Sequence, residues 1–188
     1  MNVILASASP RRKELLKRIF DEFQIVPADI DETLPADIGP EFAPIFLAAE
    51  KANAISDLYP NDLIISADTI VFADGEILGK PKDSEEAIKM LQFLSEKTHK
   101  VITGCCIQIG NRTCSFSEES YVTFYHLTPE EIIEYVSSGE AEGKAGAYGI
   151  QDKGALFVER IEGDYYNIVG LPIARLNREI KTLLEDNK

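Results

Sequence analysis

The sequence predicts an α/β fold with a long mixed β-sheet flanked by helices, and three observations predict it. Strand-like and helix-like segments alternate along the chain, as they do in sheets with helical crossovers. Two tight-turn signals, Asp74-Gly75 and Gly110-Asn111, join neighbouring strand-like runs, so hairpins are mixed in. The run from Leu63 to Phe72 is almost continuously apolar, the pattern of a central strand covered on both faces.

The elements follow in order. Val3 to Leu5 is a short strand. Ser9 suits a helix N-cap and Pro10 the first helical position, while Leu15, Leu16, Ile19 and Phe20 repeat with helical spacing. A second short strand spans Phe23 to Val26, and an acidic loop around Asp31 and Glu32 comes next. Pro44 to Leu58 reads as a helix ended by Pro60, with Leu47, Ala54 and Leu58 on one stripe. Beyond the Leu63 strand, Glu76 to Leu78 returns as its hairpin partner. Asp83 and Glu86 form a capping box for a helix carrying Ala87, Ile88, Leu91 and Leu94. Lys100 to Ile109 and Thr113 to Tyr125 are strands, and Thr128-Pro129-Glu130-Glu131 is a second capping box. Residues 139–154 are glycine-rich and read as a functional loop. Ala155 to Ile161 is strand-like, and an amphipathic helix closes the chain from Leu171 onward.

Composition narrows the function. With 188 residues, the chain fits one domain or two closely joined lobes. No apolar run reaches the ~18 residues of a membrane span, and no basic segment followed by a long apolar stretch opens the chain. A cytoplasmic location is expected. Cys105, Cys106 and Cys114 have no metal-ligand spacing and read as small strand or core residues in a reducing compartment. His99 and His126 stand too far apart to suggest a zinc site and read as structural or exposed. The net charge of −13 argues against duplex nucleic acid as a partner. An anionic small molecule would need cations gathered locally against that overall sign.

Four places break local rules. In Ser7-Ala8-Ser9-Pro10-Arg11-Arg12, two arginines open a helix against its dipole, which suits a bound phosphate; the alternative is a solvated basic face. Lys51 falls on an apolar helical stripe, so it either snorkels to water or projects into a cleft. Asp68 interrupts the Leu63–Phe72 strand. A buried carboxylate there needs a cation, a lysine or backbone donors, and it is a candidate general base or metal ligand. Glu32 is a second candidate carboxylate. Finally, Gly143-Lys144-Ala145-Gly146-Ala147-Tyr148-Gly149-Ile150-Gln151 allows close backbone approach, and Gln151 offers a donor and an acceptor to a base edge. A flexible surface loop is the alternative.

Taken in order along the chain, these pieces resemble the Maf family over nearly its whole length. The resemblance rests on Leu5-Ala6-Ser7-Ala8-Ser9-Pro10-Arg11-Arg12, Ser66-Ala67-Asp68-Thr69, Gly79-Lys80-Pro81 and His99-Lys100-Val101-Ile102-Thr103-Gly104. Ala145 to Gln151 and Gly163-Asp164-Tyr165-Tyr166-Asn167-Ile168-Val169-Gly170-Leu171-Pro172 complete it. It implies a single Maf-like domain over residues 1–188, akin to the inosine triphosphate pyrophosphatases, with two lobes around a deep cleft. It further implies hydrolysis of nucleoside triphosphates between the α and β phosphates, with a divalent cation such as Mg, Mn or Co.

By the same resemblance Asp68 is the general base, and Arg11, Thr69 and Gln151 govern base choice. The Ala147-Tyr148-Gly149-Ile150-Gln151 loop matches the subgroup that prefers dTTP and UTP. By their own chemistry Ser7, Arg12, Lys51 and Lys80 complete the substrate set and Glu32 joins Asp68 as a candidate metal ligand, the division of base and metal roles between these two carboxylates staying open. Ala141 and Gly143 depart from the family's pattern, which often has Pro and Asp ahead of Lys144. The expected partner is a small nucleotide, with no nucleic acid and no membrane; a homodimer stays open. Two rivals remain: a purine triphosphate (ITP/XTP-type) pyrophosphatase, and a nucleotide-binding regulator of septum formation.

Overall fold

The computed structural model describes residues 1–185. Strand β1 (Val3–Leu5) leads into helix α1 (Pro10–Leu16), and β2 (Gln24–Ile25) precedes α2 (Ala43–Ser56). A hairpin of β3 (Leu63–Ala73) and β4 (Glu76–Leu78) is followed by α3 (Ser84–Leu94). The long strands β5 (Thr98–Ile109) and β6 (Arg112–Phe124) precede α4 (Pro129–Ser137). After two 3-10 turns come β7 (Val158–Glu162), α5 (Tyr165–Val169) and α6 (Ile173–Glu185).

The strands form one mixed sheet ordered β2-β1-β3-β5-β6-β7, with β4 paired to β3. β1 runs parallel to both β2 and β3, whereas the β3–β4 and β6–β7 pairs are antiparallel. Leu63 to Phe72 thus occupies the interior position its composition predicts. Both hairpin signals act as expected. Asp74 and Gly75 both take positive φ (48° and 88°), which suits a two-residue turn between twisted strands.

The chain divides into two units, each with its own core. The first comprises Met1–Asp68, Thr103–Glu118 and the chain from Gly170 onward; the second comprises Thr69–Ile102 and Glu119–Val169. In the first unit α2 lies on the sheet through Ala48, Ala52 and Ile55, packed with Ile4, Ala6, Ile64 and Cys106. Small alanines let the helix approach closely. At Gly104 a Cβ would lie 2.3 Å from the backbone of Pro44 and Ile45, so only glycine fits under the start of α2. The core of the second unit includes Leu91, Leu94, Ile132, Phe124, Tyr148 and Phe157.

Several boundaries differ from the sequence reading. α1 ends at Leu16, and Ile19 and Phe20 lie in the turns that follow rather than on its face. The buried stripe of α2 runs through Leu47, Ala48, Lys51, Ala52 and Ile55, while Ala54 and Leu58 are exposed. The packing of the alanines sets that rotation. Asp83 does cap α3, accepting from Glu86 N at 2.8 Å. The Glu86 carboxylate, however, takes the N–H of Lys82, not that of the cap residue. The Thr128–Glu131 box is complete. The expected strand from Ala155 begins only at Val158, because Lys153–Phe157 closes as a 3-10 turn.

Candidate active site

The first unit brings three of the singled-out residues into direct contact. Lys51 projects from the buried stripe of α2, and Asp68 from β3, where it is the last residue of the unit. Lys51 Nζ donates to Asp68 Oδ1 at 2.6 Å and pairs with Glu32 Oε1 at 2.7 Å. The Lys51 and Asp68 side chains are 9% and 10% exposed, whereas that of Glu32 is 44% exposed. Lys51 therefore does not snorkel. It offsets the cost of the Asp68 carboxylate, and Glu32 closes the cluster from the solvent side. Lys51 is thus shared between two carboxylates, one buried and one facing solvent. Ser66, two residues before Asp68, donates to the Ala48 carbonyl at 2.6 Å and so pins α2 to β3 beside the ion pair. A hydroxyl inside an apolar run was the sequence signal for that role.

The Ser-Pro-Arg-Arg segment also lies in the first unit. Ser9 caps α1, its Oγ accepting from Arg12 N at 3.4 Å, and Pro10 takes the first helical turn. Ser7 Oγ accepts from Ser9 N at 3.2 Å and from Arg12 Nη1 at 3.3 Å. Arg12 Nε donates to the Gly170 carbonyl at 2.9 Å. Arg12 is thus a brace of this loop as well as a cation, and it explains why Gly170 belongs to the same set of motifs. Arg11 and Arg12 are both partly buried.

The remaining residues belong to the second unit. Thr69 follows Asp68 along β3 and is partly buried; Lys80 and Gln151 are exposed. The segments carrying Lys80 and Gln151 are tied together, since Gly146 N donates to the Gly79 carbonyl at 3.0 Å. The glycine-rich loop is an ordered structure rather than a loose one. Gly146 takes φ 66° and a Cβ there would meet Val71 at 2.8 Å. Gly149 N donates to Tyr135 Oη at 3.1 Å. Gly143, one of the two departures from the family pattern, has φ 65°, a conformation glycine adopts without strain. Lys144 Nζ bonds the Glu140 carbonyl.

His99 reads as structural or exposed from sequence; the structure buries it and gives it a partner. His99 Nε2 lies 2.8 Å from Tyr148 Oη, and both side chains are buried. Burial pushes His99 down to about 4 and the Tyr148 phenol above its ordinary range. Cys105 is buried and its thiol is pushed up to about 12 by desolvation, consistent with an inert core cysteine. Among the described residues no three His, Cys, Asp or Glu side chains gather as a metal-ligand set, and no helix is long and apolar enough to cross a membrane.

The chain matches the family model described as Maf-like protein over residues 2–183. It is 51% identical over 178 residues to a dTTP/UTP pyrophosphatase of Bacillus cytotoxicus, covering 95% of this chain and 93% of that one. It is 51% identical over 181 residues to a dTTP/UTP pyrophosphatase of a Geobacillus species, covering 96% and 97%. Among solved structures, a HAM1 protein from Coxiella burnetii shares the fold at a TM-score of 0.55 and 14% identity, over 97% of this chain and 99% of that one. With the motifs in order, the Asp68–Lys51–Glu32 trio assembled and the match running almost end to end, the chain belongs to the Maf family.

Proposed function

We propose that this chain is a cytoplasmic nucleoside triphosphate pyrophosphatase that hydrolyses dTTP and UTP to the monophosphate and pyrophosphate. The observation that carries the reading is the buried Asp68 carboxylate held by Lys51 beside Glu32, in a chain half identical to dTTP/UTP pyrophosphatases. Asp68 is the general base. Its carboxylate takes the proton of a water that attacks the α-phosphorus, and pyrophosphate leaves with the bridging oxygen. Lys51 fixes the orientation of that carboxylate through a charge-assisted hydrogen bond.

Negative charge develops on the bridging oxygen as the bond breaks, so cations aimed there lower the barrier. Arg11 and Arg12 present planar guanidinium groups to the phosphates, with Ser7 and Gly170 holding Arg12 in place. Lys80 supplies a point charge to the leaving group. Thr69 and Gln151 read the base, Gln151 through its paired donor and acceptor.

A divalent cation fits the residues present. Glu32 and Asp68 are hard oxygen donors that already share one cationic partner, the Lys51 ammonium. Magnesium-type ions bind through one or two carboxylates and take their other ligands from water and phosphate, so two protein donors suffice. Glu32 and Asp68 would hold the ion, which when bound neutralises phosphate charge and lowers the pKa of a bound water.

The test is pyrophosphate release by purified protein with magnesium or manganese across dTTP, UTP, CTP, ATP, GTP, ITP and XTP. The expected result is turnover highest with dTTP and UTP. Preference for ITP or XTP would assign the chain to the purine class. Binding without turnover would leave it a nucleotide sensor.

A further inference from the structure

His99 lies on β5, far in sequence from any residue assigned a role above, yet it is bonded to the loop that presents Gln151. The ring is buried, and it makes edge-to-face contacts with Phe124 at 4.8 Å and Tyr148 at 5.4 Å between centroids. Tyr148 in turn stacks edge-on against Phe124 at 4.8 Å. The backbone on either side of Tyr148 is constrained. Ala147, fully buried, takes φ 61°, a left-handed conformation that costs a residue with a Cβ and persists where the surroundings impose it. On the other side, Gly149 is held by the Tyr135 hydroxyl, and a Cβ on Gly154 would strike the Gly149 carbonyl at 2.6 Å. Gln151 is exposed two residues further on.

The direction of the His99–Tyr148 bond follows from counting polar atoms. Among the described residues His99 Nδ1 is buried without a hydrogen-bond partner. If Nε2 donated, the Tyr148 O–H would lack an acceptor and the Nδ1 lone pair a donor. If Tyr148 donates to Nε2, only one group, Nδ1–H, is left unmet. Since each buried unmet group costs free energy, the second arrangement prevails. Tyr148 O–H therefore donates to a neutral imidazole, and a buried histidine that stays neutral is an acceptor of constant direction.

We propose that His99 is a positioning residue for base selection: by accepting the Tyr148 hydroxyl it fixes the extended segment that follows the strained Ala147 and thereby the placement of Gln151. This rests on Gln151 reading the base. A histidine that merely filled the core would affect stability and leave the ranking of substrates alone.

The test compares His99→Phe, Tyr148→Phe, the double variant and Gln151→Ala. His99→Phe keeps the ring contacts and removes the acceptor; Tyr148→Phe keeps the ring and removes the donor. Each is assayed with dTTP, UTP, CTP and GTP, with urea unfolding in parallel. The kcat/KM preference for dTTP over CTP and GTP should fall roughly fivefold to tenfold in either single variant, the scale of one hydrogen bond. The change should sit in KM, with kcat for dTTP within about threefold. The double variant should lose no more preference than the worse single one, because both remove the same bond. Should His99→Phe not fold, Tyr148→Phe carries the test alone. Unchanged preference in the foldable variants while Gln151→Ala shifts it overturns the positioning role. If Gln151→Ala also leaves the ranking unchanged, the base-reading assignment fails and the proposal falls with it.

Discussion

Replacing Lys51 with methionine keeps the side-chain volume on the buried stripe of α2 and removes the ammonium. The two carboxylates it serves are not equivalent. The Glu32 side chain is 44% exposed, so solvent screens its pair with Lys51, which contributes at most about 1 kcal/mol. The Asp68 side chain is 10% exposed, with its Oδ1 2.6 Å from Nζ. Stripped of its partner, it becomes a buried, unpaired charge, a situation that costs roughly 3–5 kcal/mol. Lys51→Met should therefore lower stability by about 3 kcal/mol, nearly all of it through Asp68. For a chain of this size, with a urea slope of about 2 kcal/mol per molar, the midpoint should fall by about 1.5 M.

The decisive comparison is the double variant Lys51→Met/Asp68→Asn, in which the stranded charge is gone. It should recover about 2 kcal/mol relative to Lys51→Met, an interaction energy normal for directly bonded partners. Equilibrium urea unfolding of wild type, both singles and the double closes the cycle. A loss under about 1 kcal/mol in Lys51→Met, or a double variant no more stable than Lys51→Met, would refute the argument that Lys51 is there to offset Asp68.

Asp68→Asn should leave the protein folded and remove at least ~100-fold of pyrophosphate release, the scale of general-base loss; near-normal turnover would reject Asp68 as the base. His99 is held down to about 4 by burial against an ordinary value near 6.5, so the unfolded chain binds more protons in that window. Its contribution to stability is complete above about 6.5 and declines as pH falls toward 4, by up to about 3 kcal/mol. Tyr148 and Phe124, the rings packed on it, add no charge in that range. Urea midpoints at pH 7 and 4.5 should accordingly converge in His99→Phe relative to wild type, and an identical pH response in both would contradict this. Gly104→Ala drives a Cβ to 2.3 Å from backbone atoms of Pro44 and Ile45, which cannot yield as a side chain would. A loss of about 2–3 kcal/mol, seen as a thermal midpoint lowered by roughly 5–10 °C, is expected; a shift under about 2 °C would show that α2 can move aside.

Much of this protein was determined by its sequence alone. Apolar runs, caps and turn pairs are local physics, so the α2 and α4 helices, the two hairpins and the interior place of β3 were legible from neighbours in the chain. The candidate site was legible as a set of violations: a lysine on an apolar stripe and an aspartate in an apolar strand. What the sequence could not say is that these two violations resolve each other. They lie 17 residues apart, and only the packing of α2 on the parallel β1–β3 pair brings Nζ to Oδ1. The rotation of α2 was decided the same way, by which alanines the sheet accepts. α5, five residues long, is too short to show a helical period. The role of His99 depends on a tyrosine 49 positions away, and no local pattern carries that distance. Local preference sets the elements because each is a short-range balance of backbone and side-chain terms. Pairing of buried charges and hydroxyls is a tertiary decision, because its free energy exists only once water has been excluded from both partners.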